Sequence, residues 1–524
     1  MNAMATKTLV FLVTASTACT RGEGARVSRS DDGGSDRRES AIDRSETDAQ
    51  SEPPRCRPVE IDDGGELPRC IDRAPPQSFD PEIQWTWEGP GGETQCIVTP
   101  LVGNLTDDNH DGTIDLCDMP DIVVVAFART YEGGHVYILD GASGALHLRV
   151  PTLVDDQITP AIGDIDGDGI VEIVTMTTWR ADDGQEGGDL VAFEHDGSLK
   201  WQRPAPWLGT ASPSIALADL DADGDVEIIA GRAVADHEGT TLWVADDEVV
   251  HHSSTTTADL DGDRVLEVVL GHSAYHHDGT IYYRSTLEPG YPQVANLDVD
   301  PHPEILVVGP SGISVLEHTG EVKYTGRTQA GVPVAWWDRP ATIHDFDGDG
   351  AAEFAASSAY QYSLFDAEAT LRWTASIDDA SGLAAGTAFD FLGDGTAEAM
   401  YADQSRLFTY DGDGRIALSA LRSSWTAIEY PVVADVDDDG SAEIVVVSNA
   451  YHERQTSPTV QVIADAEDRW IAARRIWNQH AYHVTNVRED GTIPTVQPRS
   501  WHLLNTFRTN AQMEGEEACE PPLL

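Results

Sequence analysis

The chain has 524 residues, with 90 Asp and Glu against 33 Lys and Arg, for a formal net charge of −57. Phosphate backbones and anionic lipid headgroups are held by basic faces, so nucleic acid and a charged lipid surface are excluded as partners. Hydrophobic residues at 40%, with 46 Gly and 28 Pro, describe a globular, loop-rich chain with enough apolar area to offset the entropy of ordering.

In chain order, residues 1–18 read as a signal peptide of the lipoprotein type. Lys7 supplies a basic flank, TLVFLVTASTA is an apolar run too short to cross a bilayer, and small residues lead into Cys19. Cys19 is the expected lipidated first residue of the mature chain, held at the cell surface or outer membrane. Ordinary cleavage after Ala18, giving a secreted or periplasmic protein, is the alternative. Residues 19–54 carry many charges and almost no large apolar side chains, and read as a disordered tether. A Cys-containing linker follows at 55–80. In an oxidising compartment the nearby pairs Cys56 with Cys70 and Cys96 with Cys117 are candidate disulfides, with connectivity open and Cys519 left over.

From about residue 100 to 465 the chain repeats itself. The clearest copies are TPAIGDIDGDGIVEIVTM, SPSIALADLDADGDVEIIAG, PATIHDFDGDGAAEFAAS and YPVVADVDDDGSAEIVVVS, and taking the leading acid or amide as marker gives eight copies 37 to 57 residues apart. Each reads as a short apolar strand, an acidic loop, a β-branched strand, and a third strand that turns into a fourth. That grammar predicts an all-β fold over 81–470, a β-propeller of about eight four-stranded blades. Seven blades follow if the irregular first copy lies outside the ring. The segment EIQWTWEG, upstream of the first copy, resembles the fourth strands and would complete the last blade.

The acidic loops follow D-x-D-x-D-G-x-x-E. Carboxylates at alternate positions of a tight loop converge on one point, glycine permits the bend, and an acid at position nine closes the cage; hard oxygen donors in that number favour calcium. The candidate ligands are Asp107, Asn109, Asp111 and Asp115 in the first copy, then Asp164, Asp166, Asp168, Ile170 through its carbonyl, and Glu172. The third set is Asp219, Asp221, Asp223, Asp225 and Glu227, and the fourth Asp259, Asp261, Asp263, Val265 and Glu267. Asn296, Asp298, Asp300, His302 and Glu304 form the fifth, and Asp345, Asp347, Asp349, Ala351 and Glu353 the sixth. The last two are Asp390, Asp394, Thr396 and Glu398, and Asp435, Asp437, Asp439, Ser441 and Glu443. Arg264 and Pro301 replace the loop glycine, and Asn296 and Leu392 weaken their copies. In the first copy Asp118 stands at position twelve and would close that loop in the EF-hand manner.

These loops resemble FG-GAP or VCBS repeats, the family that includes the propeller of integrin alpha subunits. The resemblance implies a propeller with calcium in its hairpin loops and a non-catalytic role in adhesion or extracellular recognition of a glycan or protein. Some pectin-backbone lyases resemble the same arrangement, so a polysaccharide-degrading enzyme is the alternative.

If the acidic loops join first and second strands, the opposite face collects Trp207, Trp336, Trp337 and Trp425, an aromatic platform suited to sugar rings or protein partners. Tyr275 and Tyr360 recur in SAY, which suggests packing. His251, His252, His276, His277, His480 and His483 match no zinc spacing. Residues 471–524 break the repeat and read as a cap with Trp477 and Trp501 buried.

Overall fold

The computed structural model describes residues 74–75, 78–129, 132–178, 188–205, 214–247, 254–329, 339–358, 360–379, 383–450 and 457–513. All of them belong to one compact unit, Cys56–Leu524. The other unit, Met1–Arg55, lies outside the described residues, and with it the signal, Cys19 and the tether. Cys56, Cys70 and Cys519 lie outside them as well.

The described residues form eight four-stranded antiparallel sheets, one per repeat. Blade 2 shows the build. Ala161–Gly163 pairs with Glu172–Met176, then come Asp189–Phe193 and Leu199–Pro204. The first two strands are buried along their whole length, whereas the fourth keeps mostly its Trp201 inward. First strands of successive blades touch one another, which makes them the inner ring. Between third and fourth strands the register slips in every blade, for example at Ala192/Phe193, Val234/Ala235 and Ala274/Tyr275. An extra residue there bends the outer strand and raises its twist.

Pro81–Trp87 pairs antiparallel with Val460–Asp465, so the segment ahead of the first copy completes the last blade. The ring therefore has eight blades rather than seven, and its closure joins the two ends of the repeat region.

Several neighbouring blades are locked by an aromatic residue of the fourth strand. Trp201 packs on the Gly239 turn of the next blade, where φ is +79° and a Cβ would stand 2.5 Å from the indole. Trp85, Trp243 and Trp373 dock in the same way on Gly144, Gly279 and Gly414. The Trp85 and Trp243 ring N–H groups each donate to a carbonyl of the turn they cover, Gly141 and His277, at 2.7 Å.

The C-terminal segment is more than a cap. It runs along the inner ring and makes contacts in every blade. Trp477 exchanges backbone hydrogen bonds with Val102 in blade 1, and Ile162 N–H donates to Asn478 O in blade 2. Gln479 accepts from Leu217 N–H, Arg499 pairs with Asp259 at 2.9 Å, and Asn505 bonds the backbone of Asn296. Phe507 exchanges hydrogen bonds with Ile343, Arg508 O accepts from Thr387, and Asn510 donates to Val433 O. An eight-bladed ring leaves an axial channel, and this segment occupies it with Trp477 fully buried and Trp501 7% exposed.

The expected Cys96–Cys117 bond does not form. Cys96 is a free, buried thiol beside the far end of Asp121–Phe127, where Gln95 bridges Phe127. Cys117 lies in the loop before the start of that seven-residue strand and is disulfide-bonded elsewhere. At about 3.3 Å per residue that strand spans roughly 20 Å from end to end. Burial pushes the Cys96 thiol up to about 12, so it will resist alkylation in the native protein and react on unfolding, a difference that peptide mass mapping reads directly.

Candidate metal centre

The same loop geometry recurs from blade to blade. The glutamate at position nine opens the second strand in seven blades: Glu172, Glu227, Glu267, Glu304, Glu353, Glu398 and Glu443. One of its oxygens accepts the N–H of the residue after position one, as in Ile165 to Glu172 at 2.9 Å, Leu260 to Glu267 at 2.9 Å and Val436 to Glu443 at 2.9 Å. The position-seven residues Ile170, Asp225, Val265, His302, Ala351, Thr396 and Ser441 donate their N–H to the position-five carboxylate at 2.8–3.0 Å. That turn leaves the carbonyl of position seven free of the sheet.

Position one accepts the amide of position six. Gly169 donates to Asp164 at 2.9 Å, Gly350 to Asp345 at 2.8 Å and Gly440 to Asp435 at 3.1 Å. Arg264 keeps this bond, to Asp259 at 3.2 Å, by adopting φ +76° in spite of its side chain. Pro301 has no N–H to give, and Asn296 instead donates to Asp300 O at 2.6 Å, so the blade 5 loop closes without a metal-type position one.

Blade 1 departs from the repeat. Its equivalent of the glutamate is Asp121, which accepts Leu105 N–H at 2.9 Å and opens Asp121–Phe127. Asp107, Asn109, Asp111 and Asp115 lie on an inserted loop instead. Gly112 N–H donates to Asp107 at 3.0 Å, and Asp118 closes the loop by accepting from Asn109 at 3.1 Å and Asp115 at 3.0 Å.

Several carboxylate groups converge closely enough to share an ion, among them Asp164, Asp166 and Glu172, Asp219, Asp221 and Glu227, and Asp259, Asp261 and Asp263. Blade 8 gives the sharpest test of fit. Asp435 Oδ1, Asp437 Oδ1 and Glu443 Oε1 are buried without a hydrogen-bond donor. Burial raises Glu443 well above the usual carboxylate range, with Asp437 and Asp435 adding to it, and Asp435 is pushed up to about 8. Oxygen-only donors, orphaned and mutually repelling, are the set that a hard divalent cation satisfies. Calcium held here would neutralise the cluster and pin the hairpin.

Two loops are already neutralised from within. Lys200, on the fourth strand of blade 2, lies 2.6 Å from Asp166 and 3.1 Å from Glu172. Lys323 occupies the same place in blade 5, bonded to Asp298 and 2.8 Å from Glu304. An ammonium there competes with a cation for two of the five expected ligands. Lys200→Met will therefore raise calcium stoichiometry by one in a calorimetric titration; an unchanged count would show that Lys200 does not guard the loop.

Trp207, Trp336 and Trp337 lie outside the described residues. Trp425 is 37% exposed, and its backbone N–H is anchored on Asn449 at 2.9 Å. Tyr275 is buried, with its hydroxyl 2.9 Å from Asp247, but Tyr360 is 51% exposed, so the recurrence in SAY does not mark a common packing role. His480 and His483 are buried, and desolvation holds both below the ordinary imidazole range, His483 at about 4. A cleft of about 1010 Å³ opens on the metal-loop side, lined by Asp345, Asp349 and Arg372 of blade 6 and by Trp501, His502 and Gln512 of the C-terminal segment. No sequence signal pointed to it, because a third of its wall comes from outside the repeat.

No protein-family model matches this chain, and no relative is found among curated sequences. Solved structures do match. The V. cholerae biofilm matrix protein Bap1 superposes with a TM-score of 0.73 at 23% identity, over 84% of this chain and 99% of that one. The fold is an eight-bladed β-propeller similar to that of Bap1. The rhamnogalacturonan lyase YesW matches with a TM-score of 0.50 at 16% identity, over 88% of this chain and 85% of its own. A Bacillus licheniformis rhamnogalacturonan lyase matches with a TM-score of 0.50 at 17% identity, over 86% and 82%. At these identities the likeness concerns the fold.

Proposed function

We propose that this chain is an exported propeller of the FG-GAP/VCBS type, stabilised by calcium, that binds an extracellular glycan or protein without chemical turnover. The observation that carries this reading is the likeness to a biofilm matrix protein across 99% of that chain, with a TM-score of 0.73 against 0.50 for the lyases. In this reading Cys19 anchors the protein by lipid and the tether sets the propeller off from the membrane. Among the described residues no helix is long and apolar enough to cross a bilayer.

The cleft beside Trp501 is the favoured ligand site. The Asp345 and Asp390 loops line it, so calcium bound there would face a ligand rich in hydroxyl or carboxylate groups. Several buried arginines are committed to the fold: Arg422 pairs with Glu429 at 2.9 Å and Arg474 with Glu489 at 2.7 Å.

Polysaccharide lyase activity is the second reading, favoured by Arg372 and His502 in the same cleft, a cation and a base of the kinds that β-elimination uses. Glycan-array binding in calcium, run beside an assay for unsaturated sugar products, separates the two. Retention without product supports the binding reading. Product that disappears in Arg372→Ala and His502→Ala replaces it with the lyase.

A further inference from the structure

Blade 1 holds a side-chain cluster that the calcium loops do not use. Its fourth strand, Leu146–Arg149, places His147 where blades 2 and 5 place Lys200 and Lys323. In each of the three blades the group faces one acid from the loop, one opening the second strand and one at the end of the third. These are Asp166, Glu172 and Glu194 around Lys200, and Asp298, Glu304 and Glu317 around Lys323. Around His147 they are Asp108, Asp121 and Asp140.

The fit differs in one respect. Lys200 makes direct ion pairs with its three acids at 2.6, 3.1 and 3.2 Å. His147 Nε2 stands 3.7 Å from Asp108 Oδ1, 3.6 Å from Asp121 Oδ1 and 3.6 Å from Asp140 Oδ2, near-equal distances that lie beyond hydrogen-bond reach of all three. The edge of a tetrahedron is about 1.63 times the distance from centre to vertex. The 3.6–3.7 Å between Nε2 and its three acids is thus the separation of donors about 2.2 Å from a shared ion, at the long end of zinc–nitrogen and zinc–oxygen bonds, and the donor atoms of Asp108, Asp121 and His147 all lie within 4.8 Å of one another.

The remaining oxygens are already employed. Asp121 Oδ2 accepts Leu105 N–H at 2.9 Å, Asp108 Oδ2 accepts the Thr106 hydroxyl at 3.1 Å, and Asp140 Oδ1 accepts Ser143 N–H at 2.7 Å. Asp108 and Asp140 are each oriented by one oxygen and turn the other to the imidazole, the division between ligand and outer-shell contact that metal sites show, whereas Asp121 Oδ1 is also within reach of the Thr106 hydroxyl at 3.2 Å.

We propose that Asp108, Asp121, Asp140 and His147 bind a divalent transition-metal ion of the zinc class, at a site separate from the oxygen-only calcium loops. An imidazole donor selects for zinc, cobalt or nickel over calcium. The test uses the full chain, freed of metal by dialysis, saturated with calcium and then titrated with Co²⁺ and Zn²⁺. Wild type is expected to take up one more Zn²⁺ than His147→Lys, which puts the ammonium of blades 2 and 5 into this place. It is also expected to show a tetrahedral Co²⁺ spectrum that excess calcium leaves intact. Asp140→Asn, which keeps the Ser143 contacts, should weaken Zn²⁺ by about 10- to 100-fold and serves if the lysine variant does not fold. Equal stoichiometry and spectra in wild type and His147→Lys would overturn the proposal, as would wild-type affinity in Asp140→Asn or loss of the Co²⁺ spectrum to calcium.

Discussion

A chain ended after Trp470 will not form a stable propeller. The repeat region supplies all the strands of the eight blades, so strand count alone predicts that such a truncation folds. The inner ring says otherwise. Val102, Ile162 and Ile343 give their free-edge N–H groups to Trp477, Asn478 and Phe507, and without the segment those edges face a channel that only water can fill. Trp477, Tyr482 and Phe507 also lose their burial among inner-ring residues. At roughly 1.5–3 kcal/mol for each large apolar side chain, these three alone approach a typical domain stability of about 5–15 kcal/mol. A point variant makes the same case with less disruption. Arg474 donates to Glu489 at 2.7 Å, Val484 O at 2.6 Å and Val487 O at 2.7 Å, tying the segment to itself. Arg474→Met leaves Glu489 buried without its counter-ion, at a cost of about 3–5 kcal/mol. Circular dichroism melts and gel filtration check both. A truncated chain that is monomeric and melts cooperatively near the wild-type temperature would show the segment to be ornamental.

What the sequence made legible follows from what repeats. Strand, acidic loop and glutamate-led strand recur with a fixed grammar, and the register of Gly163 opposite Glu172 or Ala434 opposite Glu443 is that grammar folded. The closing strand was legible as well, because EIQWTW has the form of LKW and LRW. The docking of Trp201 on Gly239 was not, since it joins positions in different blades that no local pattern links. The path of the C-terminal segment carries no period and so no signal. The Cys96 pairing failed for a related reason: 21 residues of separation say nothing about which end of an intervening strand each sulfur occupies. Lys200, Lys323 and His147 sit at one position of LKW, VKY and LHL. Only the structure shows that this position points into the carboxylates.

The largest effect expected is from calcium, and its size depends on pH. Setting aside the lysine-filled loops of blades 2 and 5, and the blade 4 loop whose Asp259 is held by Arg499, leaves the loops of blades 3, 6, 7 and 8 and the inserted loop of blade 1. With dissociation constants near 10⁻⁴ M and calcium near 1 mM, each site adds about 1.4 kcal/mol, so about five sites contribute roughly 7 kcal/mol. Removing calcium should therefore lower the melting temperature steeply. The metal-free protein has its own pH dependence. Burial pushes Glu227 and Glu398 up to about 8 and Glu353 to about 7, from an ordinary value of 4.5. A carboxyl whose folded value is raised binds more protons folded than unfolded, so its contribution is fully present below about pH 4.5 and is lost as pH rises through 7–8. Calcium competes with those same protons and binds more tightly as they leave. The gap between calcium-loaded and metal-free melting temperatures should thus widen from about pH 6 to about pH 8, with the metal-free curve falling as the loaded curve holds. Calorimetric melts of dialysed protein across that range decide it. A gap that stays constant with pH would mean that the buried glutamates are not the groups calcium neutralises, and no gap at all would remove calcium from the loops.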